Sequence, residues 1–183
     1  ARGSRPAADA LQRASAWLNN ALRGARDDQR AEPERALAEA GEDRFETLNA
    51  LHRRRASFDL AGLGRLALAW RALGRVELAT EVDATAKEKL GVGPLDAPGK
   101  VRPIGDDPSR VEALALVAQS LLTANPGDAI GVRIVEWLEA QRGGPAGATP
   151  EAMAAAIEAL DKVLGRARRT TGGACSVVAR VNA

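Results

Sequence analysis

The residues able to do chemistry are few and scattered. His52 is the single histidine and Cys175 the single cysteine of the chain. With Asp83 they form a set of zinc-ligand types, but positions 52, 83 and 175 show no metal-motif spacing. His52 stands beside Arg53, Arg54 and Arg55, whose charge disfavours both an imidazolium and a bound cation. It reads as a solvated residue at a helix end. Asp106-Asp107 lies in a Gly/Pro loop just before a helix, where carboxylates favour the positive helix end, so it reads as capping. Two Phe and three Trp are too few to shelter a carbocation. Asp27-Asp28 reads as a solvated loop. Gly143-Gly144-Pro145-Ala146-Gly147 lacks the Lys-Ser/Thr of a phosphate loop and reads as a linker.

Composition restricts the function classes further. Net charge is +2 and the pI about 9.1, which is not the footprint of a nucleic-acid binder. The densest basic runs, His52-Arg53-Arg54-Arg55 and Arg166-Ala167-Arg168-Arg169, each fall at the end of an expected helix, where they complement its negative pole. No aromatic residue interleaves with either run, so base stacking has no platform. A lone cysteine excludes an internal disulfide and leaves the redox compartment open. No apolar run reaches membrane-spanning length, and no signal peptide is evident.

These side chains must be positioned by helices. Ala supplies 39 of 183 residues and Tyr none. Ala has the highest helix propensity, and its small side chain lets helices approach closely. The first helix is expected over 7–23, with Leu11, Ala14, Leu18, Ala21 and Leu22 on one face and Trp17 beside them. Pro33 is expected to open a short helix ending at Gly41. Asp43 can cap the next, striped by Phe45, Leu48 and Leu51. Ser57 is expected to cap a strongly apolar helix with Leu60, Leu63, Ala67, Trp70 and Leu73 at helical spacing, stopped by Gly74. Residues 91–108 are rich in Gly and Pro and read as a long irregular stretch. Asn125-Pro126-Gly127 reads as a turn, and Asp128 caps a helix carrying Ile130, Ile134, Trp137 and Leu138. Trp17, Trp70 and Trp137 are expected to pack between helical hairpins.

A repeat emerges from this order. Apolar helices at 60–73, 111–124 and 151–164 each follow a charged helix, at 43–55, 76–90 and 128–142. Recurrence every ~40–50 residues is the signature of helical-hairpin arrays. Helices apolar on most of their surface require burial on several sides, whereas one-striped helices can face water. Apolar helices inside and charged helices outside form a two-layered α/α toroid or an arc of one. After Gly165 the character changes: residues 174–181 are short and β-branched, and read as a strand or extended tail. The organisation expected is residues 1–6 as a disordered lead or tag remnant, 7–165 as about four hairpins of a partial toroid, and 166–183 as the extended tail. The chain opens Ala1-Arg2-Gly3-Ser4 without Met, and reads as a processed or trimmed piece of something longer.

Residues 48–74, running Leu48-Asn49-Ala50-Leu51-His52-Arg53-Arg54-Arg55 and on through Trp70-Arg71-Ala72-Leu73-Gly74, resemble the thioester-containing domain of bacterial α2-macroglobulin-like proteins. A second matching stretch holds Val111-Glu112, Trp137-Leu138, Gln141-Arg142-Gly143-Gly144 and Thr149. Pro150-Glu151-Ala152 stands where that family carries Gln-Asp-Thr. The resemblance covers roughly residues 7–164 and rests on pattern more than on unique residues. It implies part of an α/α toroid from a protease-trapping protein of the bacterial envelope or periplasm, with proteases and the parent's other domains as partners. Trapping in that family uses a strained thioester formed within Cys-x-Glu-Gln. Cys175 precedes Ser176-Val177-Val178 and cannot be that motif. No catalytic, cofactor-binding, metal or thioester residue is therefore assigned, no cofactor is expected, and the chain reads as non-enzymatic. A helical-repeat interaction module is the alternative. A third is a toroid enzyme like terpene cyclases, whose acidic pair Asp106-Asp107 half resembles, or like prenyltransferases, whose zinc set Cys175, His52 and Asp83 would match by type.

Overall fold

The computed structural model describes residues 8–25, 27–91 and 108–140, together with Ile157. Among them the chain is all-α, with seven helices and no strand. They are α1 (Ala8–Ala21), α2 (Asp27–Glu39), α3 (Phe45–Arg53), α4 (Leu60–Ala72), α5 (Val76–Lys89), α6 (Pro108–Ala124) and α7 (Ala129–Ala140). A 3-10 turn, Leu22–Gly24, closes α1, and a second, Arg55–Ser57, leads from α3 toward α4. The expected tail at 166–183, the linker at 143–147 and the acidic pair at 106–107 lie outside the described residues, as does the expected helix at 151–164 apart from Ile157.

Local chemistry explains most boundaries. Gly41 and Gly74 take φ of 89° and 69°. There the amide of Glu42 reaches the Leu37 carbonyl at 3.0 Å, and that of Arg75 the Trp70 carbonyl at 2.8 Å. These six-to-one bonds are the left-handed glycine stop that closes α2 and α4. Asp128 Oδ1 accepts from the amides of Ile130 and Gly131, both at 3.0 Å, and caps α7 as its sequence position predicts.

Three starts differ from expectation. The N-cap of α3 is Arg44, not Asp43, whose Oδ1 accepts from the Phe45 amide at 3.2 Å from one position outside it. Asp59, not Ser57, is the N-cap of α4: its carboxylate accepts from the Gly62 amide at 2.7 Å. Ser57 instead closes the 3-10 turn, its hydroxyl donating to the Arg54 carbonyl at 2.8 Å. Helix α2 begins at Asp27, so Asp27-Asp28 is the opening of a helix and not a loop, and Pro33 lies inside it. Pro33 has no amide to give the Gln29 carbonyl, a local loss. Burial of Ala31, Glu34, Leu37 and Ala38 along one face offsets it.

Helix α4 is the hub, packing against α2, α5 and α6 and touching α3. Helix α6 packs in turn on α7. Thus α2, α4 and α6 lie side by side, with α3 and α5 against α4 and α7 against α6. Burial follows the expected division. From Gly62 to Trp70 every residue of α4 except Arg65 is buried, and α6 is buried continuously from Ala113 to Leu122. Helix α5 buries only Ala79, Val82, Asp83 and Ala86, a single stripe. Small residues set the spacing. A Cβ on Gly64 would lie 2.7 Å from Leu116 Cβ and 2.9 Å from its carbonyl carbon, and one on Gly131 would lie 2.9 Å from Leu122 Cγ.

The three tryptophans part company. Trp70 is fully buried, and Trp137 is half-buried against the core. Trp17 is 70% exposed, contrary to the expected packing, because α1 packs only lightly on α2 and reaches Glu42 and Arg44 through Asn19, which leaves its Leu11–Ala14–Trp17 side uncovered.

Candidate functional site

Among the described residues, four of the polar clusters that join the helices pair their charges internally. Between α4, α5 and α6, Arg71 donates through Nη2 to Asp83 Oδ2 and through Nε to Ser120 Oγ at 3.1 Å. Ser120 Oγ donates to Asp83 Oδ1 at 2.7 Å. Burial raises the Asp83 carboxyl above its ordinary range, against the pull of Ser120, Arg71 and Lys87. Between α2, α4 and α6, Arg65 bridges Glu32 Oε2 at 2.7 Å and Glu112 Oε1. Between α5 and the start of α7, Lys87 Nζ lies 2.7 Å from Asp128 Oδ2. Burial pushes the Asp128 carboxyl up, but Lys87 and the Gly131 and Ile130 amides together hold it below the usual carboxylate range.

The fourth cluster gathers α1, α2 and α3. Arg44 grips the buried Glu34 carboxylate with two bonds, Nε to Oε2 at 2.7 Å and Nη2 to Oε1 at 2.9 Å. Its Nη1 donates to Asn19 Oδ1 at 3.0 Å, which is the polar anchor of α1. The hydrogen bond to Glu34 raises the Arg44 guanidinium further above its ordinary value. Thr47 Oγ1 lies 3.1 Å from Glu34 Oε2, but that carboxylate is already engaged by Arg44 and is poorly placed to act as a base.

Beside this cluster an open cleft of about 490 Å³ is lined by Asp43, Arg44, Phe45, Glu46, Thr47 and Arg75. The Arg75 guanidinium sits over the Phe45 ring, 5.5 Å from its centroid. Asp43 Oδ1 accepts from the Phe45 amide at 3.2 Å, holding the first turn of α3 from just outside the helix. The cleft offers mixed charge and one aromatic edge. That chemistry suits contact with another polypeptide better than bond-making on a small substrate.

Of the zinc-type residues, Cys175 lies outside the described residues, and the other two are in separate clusters. Asp83 is committed to Arg71 and Ser120. His52 is not the solvated helix-end residue its arginine neighbours suggest. It is buried, its Nδ1 accepting from the Trp70 indole at 3.2 Å and its Nε2 lying 3.1 Å from Glu81 Oε2. The reason is angular: His52 falls four residues after Leu48, on the stripe that faces α4, while Arg53 and Arg54 turn outward. That spacing was the signal available in the sequence. Glu34, Arg44, Arg65 and Arg71 had none, since their partners come from other helices.

Comparison with protein-family models, curated proteins and solved structures finds no match to this chain.

Proposed function

We propose that the chain is a non-enzymatic segment of a bacterial envelope protease-trapping protein of the α2-macroglobulin-like kind, taken from the α/α toroid of its thioester-domain region. The observation carrying this reading is the alternation of helices. Those buried on nearly every side, α4 and α6, lie next to each other, while the one-striped α3 and α5 pack on α4 from the same hub. An arc of a two-layered helical ring is built this way. The same alternation accompanies the residue pattern of 48–74 and 111–149, which resembles that family. The segment itself would contribute surface, not covalent chemistry, and its partners would be proteases held by the parent and the parent's other domains.

The parent protein tests this. A coding sequence that places Cys-x-Glu-Gln upstream of Ala1, with a product that forms a detergent-resistant adduct with an attacking protease and loses it after methylamine treatment, is the expected result. A start codon immediately before this segment would overturn the reading.

One observation favours a second reading, a helical-repeat protein-interaction module. Leu11 and Trp17 expose apolar surface along α1, as a docking helix would. Such a module would bind its partner with no proteolytic trigger, whereas the trapping reading requires a cut in the parent.

A further inference from the structure

His52 sits where three elements meet. It lies near the end of α3, faces Trp70 of α4 edge-on with ring centroids 5.9 Å apart, and reaches Glu81 of α5. Trp70 also meets Phe45, at the other end of α3, with centroids 5.6 Å apart. The indole N–H can only donate, so His52 Nδ1 must accept, across 3.2 Å. The ring proton of neutral His52 therefore resides on Nε2 and donates to Glu81 Oε2 at 3.1 Å. A second ring proton would sit on Nδ1 and oppose the indole N–H, donor against donor.

We propose that His52 is a pH-sensitive latch, docking α3 on α4 while its ring is neutral and loosening it when the ring is doubly protonated. Charged groups around the ring pull in opposite directions. Glu81 from α5 favours the charged ring. It is 53% exposed, however, and is shared with Arg55 Nη2 at 3.4 Å, so its attraction is screened. Arg55 in the 3-10 turn and Arg53 on α3 oppose the added charge. From α4 the ring meets Trp70, which is fully buried, so its orphaned N–H would bear the full loss of a partner that water cannot replace. The burden falls on the docked state. Full docking thus belongs to the singly protonated ring, and acid loosens it by adding a proton at Nδ1.

Nuclear magnetic resonance on the full 183-residue chain tests this. Long-range ¹⁵N–¹H spectra at pH 7.5 should show His52 as the Nε2–H tautomer, and amide-exchange protection of α3, corrected for intrinsic rates, should fall about tenfold relative to α4 between pH 7.5 and pH 5. His52→Gln should abolish this response, because its amide can accept from Trp70 and donate to Glu81 without titrating. An Nδ1–H tautomer, unchanged α3 protection at pH 5, or the same pH response in His52→Gln would overturn the proposal. Should that variant fail to fold, the two wild-type measurements still decide.

Discussion

Helices α1 and α4 each place a tryptophan directly after an alanine, yet Trp17 is 70% exposed and Trp70 is fully buried. Both helices show apolar residues at helical spacing. What separates them is the supply of neighbours. Helix α4 has a glycine, Gly64, that admits the α6 backbone, and two arginines, Arg65 and Arg71, that pair outward to α2, α5 and α6. Helix α1 has one polar anchor of comparable depth, Asn19, and an exposed ion pair, Arg13 with Asp9 at 3.1 Å. An apolar face earns burial only when the opposing surface is shaped to reach it.

The comparison breaks most visibly at the tryptophans themselves. Trp70→Ala should cost about 3–5 kcal/mol of unfolding free energy in urea titrations, as large core truncations do. Trp17→Ala should stay within about 0.5 kcal/mol. Equal costs would mean that α1 is covered as fully as α4. The arginines come next. Arg71→Ala leaves Asp83 buried without its cation and should cost about 3–5 kcal/mol. Arg13→Ala, in an exposed pair, should be nearly silent in the same titration.

Glycine sharpens the contrast at smaller scale. Gly64→Ala forces a methyl against the Leu116 backbone and should destabilise by about 1–3 kcal/mol, despite alanine's better helix propensity. Gly24→Ala, after α1, meets nothing within 4 Å and should be neutral or stabilising by up to about 1 kcal/mol. Thermal melts of the two variants should move in opposite directions or at least differ by several degrees.

The smallest effect concerns pH. Asp128 has a folded-state carboxyl held below its unfolded value, so its contribution is complete above the unfolded range, near pH ~3.9, and is lost as pH falls through the lowered folded value. Asp128→Asn keeps a capping oxygen but loses the charge facing Lys87, so it should be less stable than wild type by up to about 1 kcal/mol at neutral pH, and the gap should close in strong acid. Asp83 runs the other way. Its raised carboxyl favours the folded state at low pH, and that contribution fades as pH rises through the folded value.

Much of this was legible in the residues. The expected helices at 43–55, 60–73, 76–90, 111–124 and 128–142 follow from apolar periodicity and correspond to α3 through α7 among the described residues, and their stops follow from Gly74 and the Asn125-Pro126-Gly127 turn. The division into all-round and one-striped helices also carried through to burial. What did not carry through depended on partners distant in sequence. The three arginines that follow His52 point to a solvated residue, while its partners Trp70 and Glu81 lie 18 and 29 residues away. For Trp17, periodicity reports that a face is apolar, not that a neighbour meets it. At the start of α2, Pro33 is a strong local signal for a first turn, and tertiary burial of Glu34 and Leu37 overrides it.

The central claim is that α4 and α6 form the inner pair on which the other helices are laid. Residue-resolved amide hydrogen exchange at pH 7 addresses it most directly. The slowest amides should be those of Leu63–Trp70 and Ala113–Leu122, exchanging only on global unfolding, with α1 orders of magnitude faster. Protection in α1 equal to that of α4, or fast exchange along α6, would contradict it.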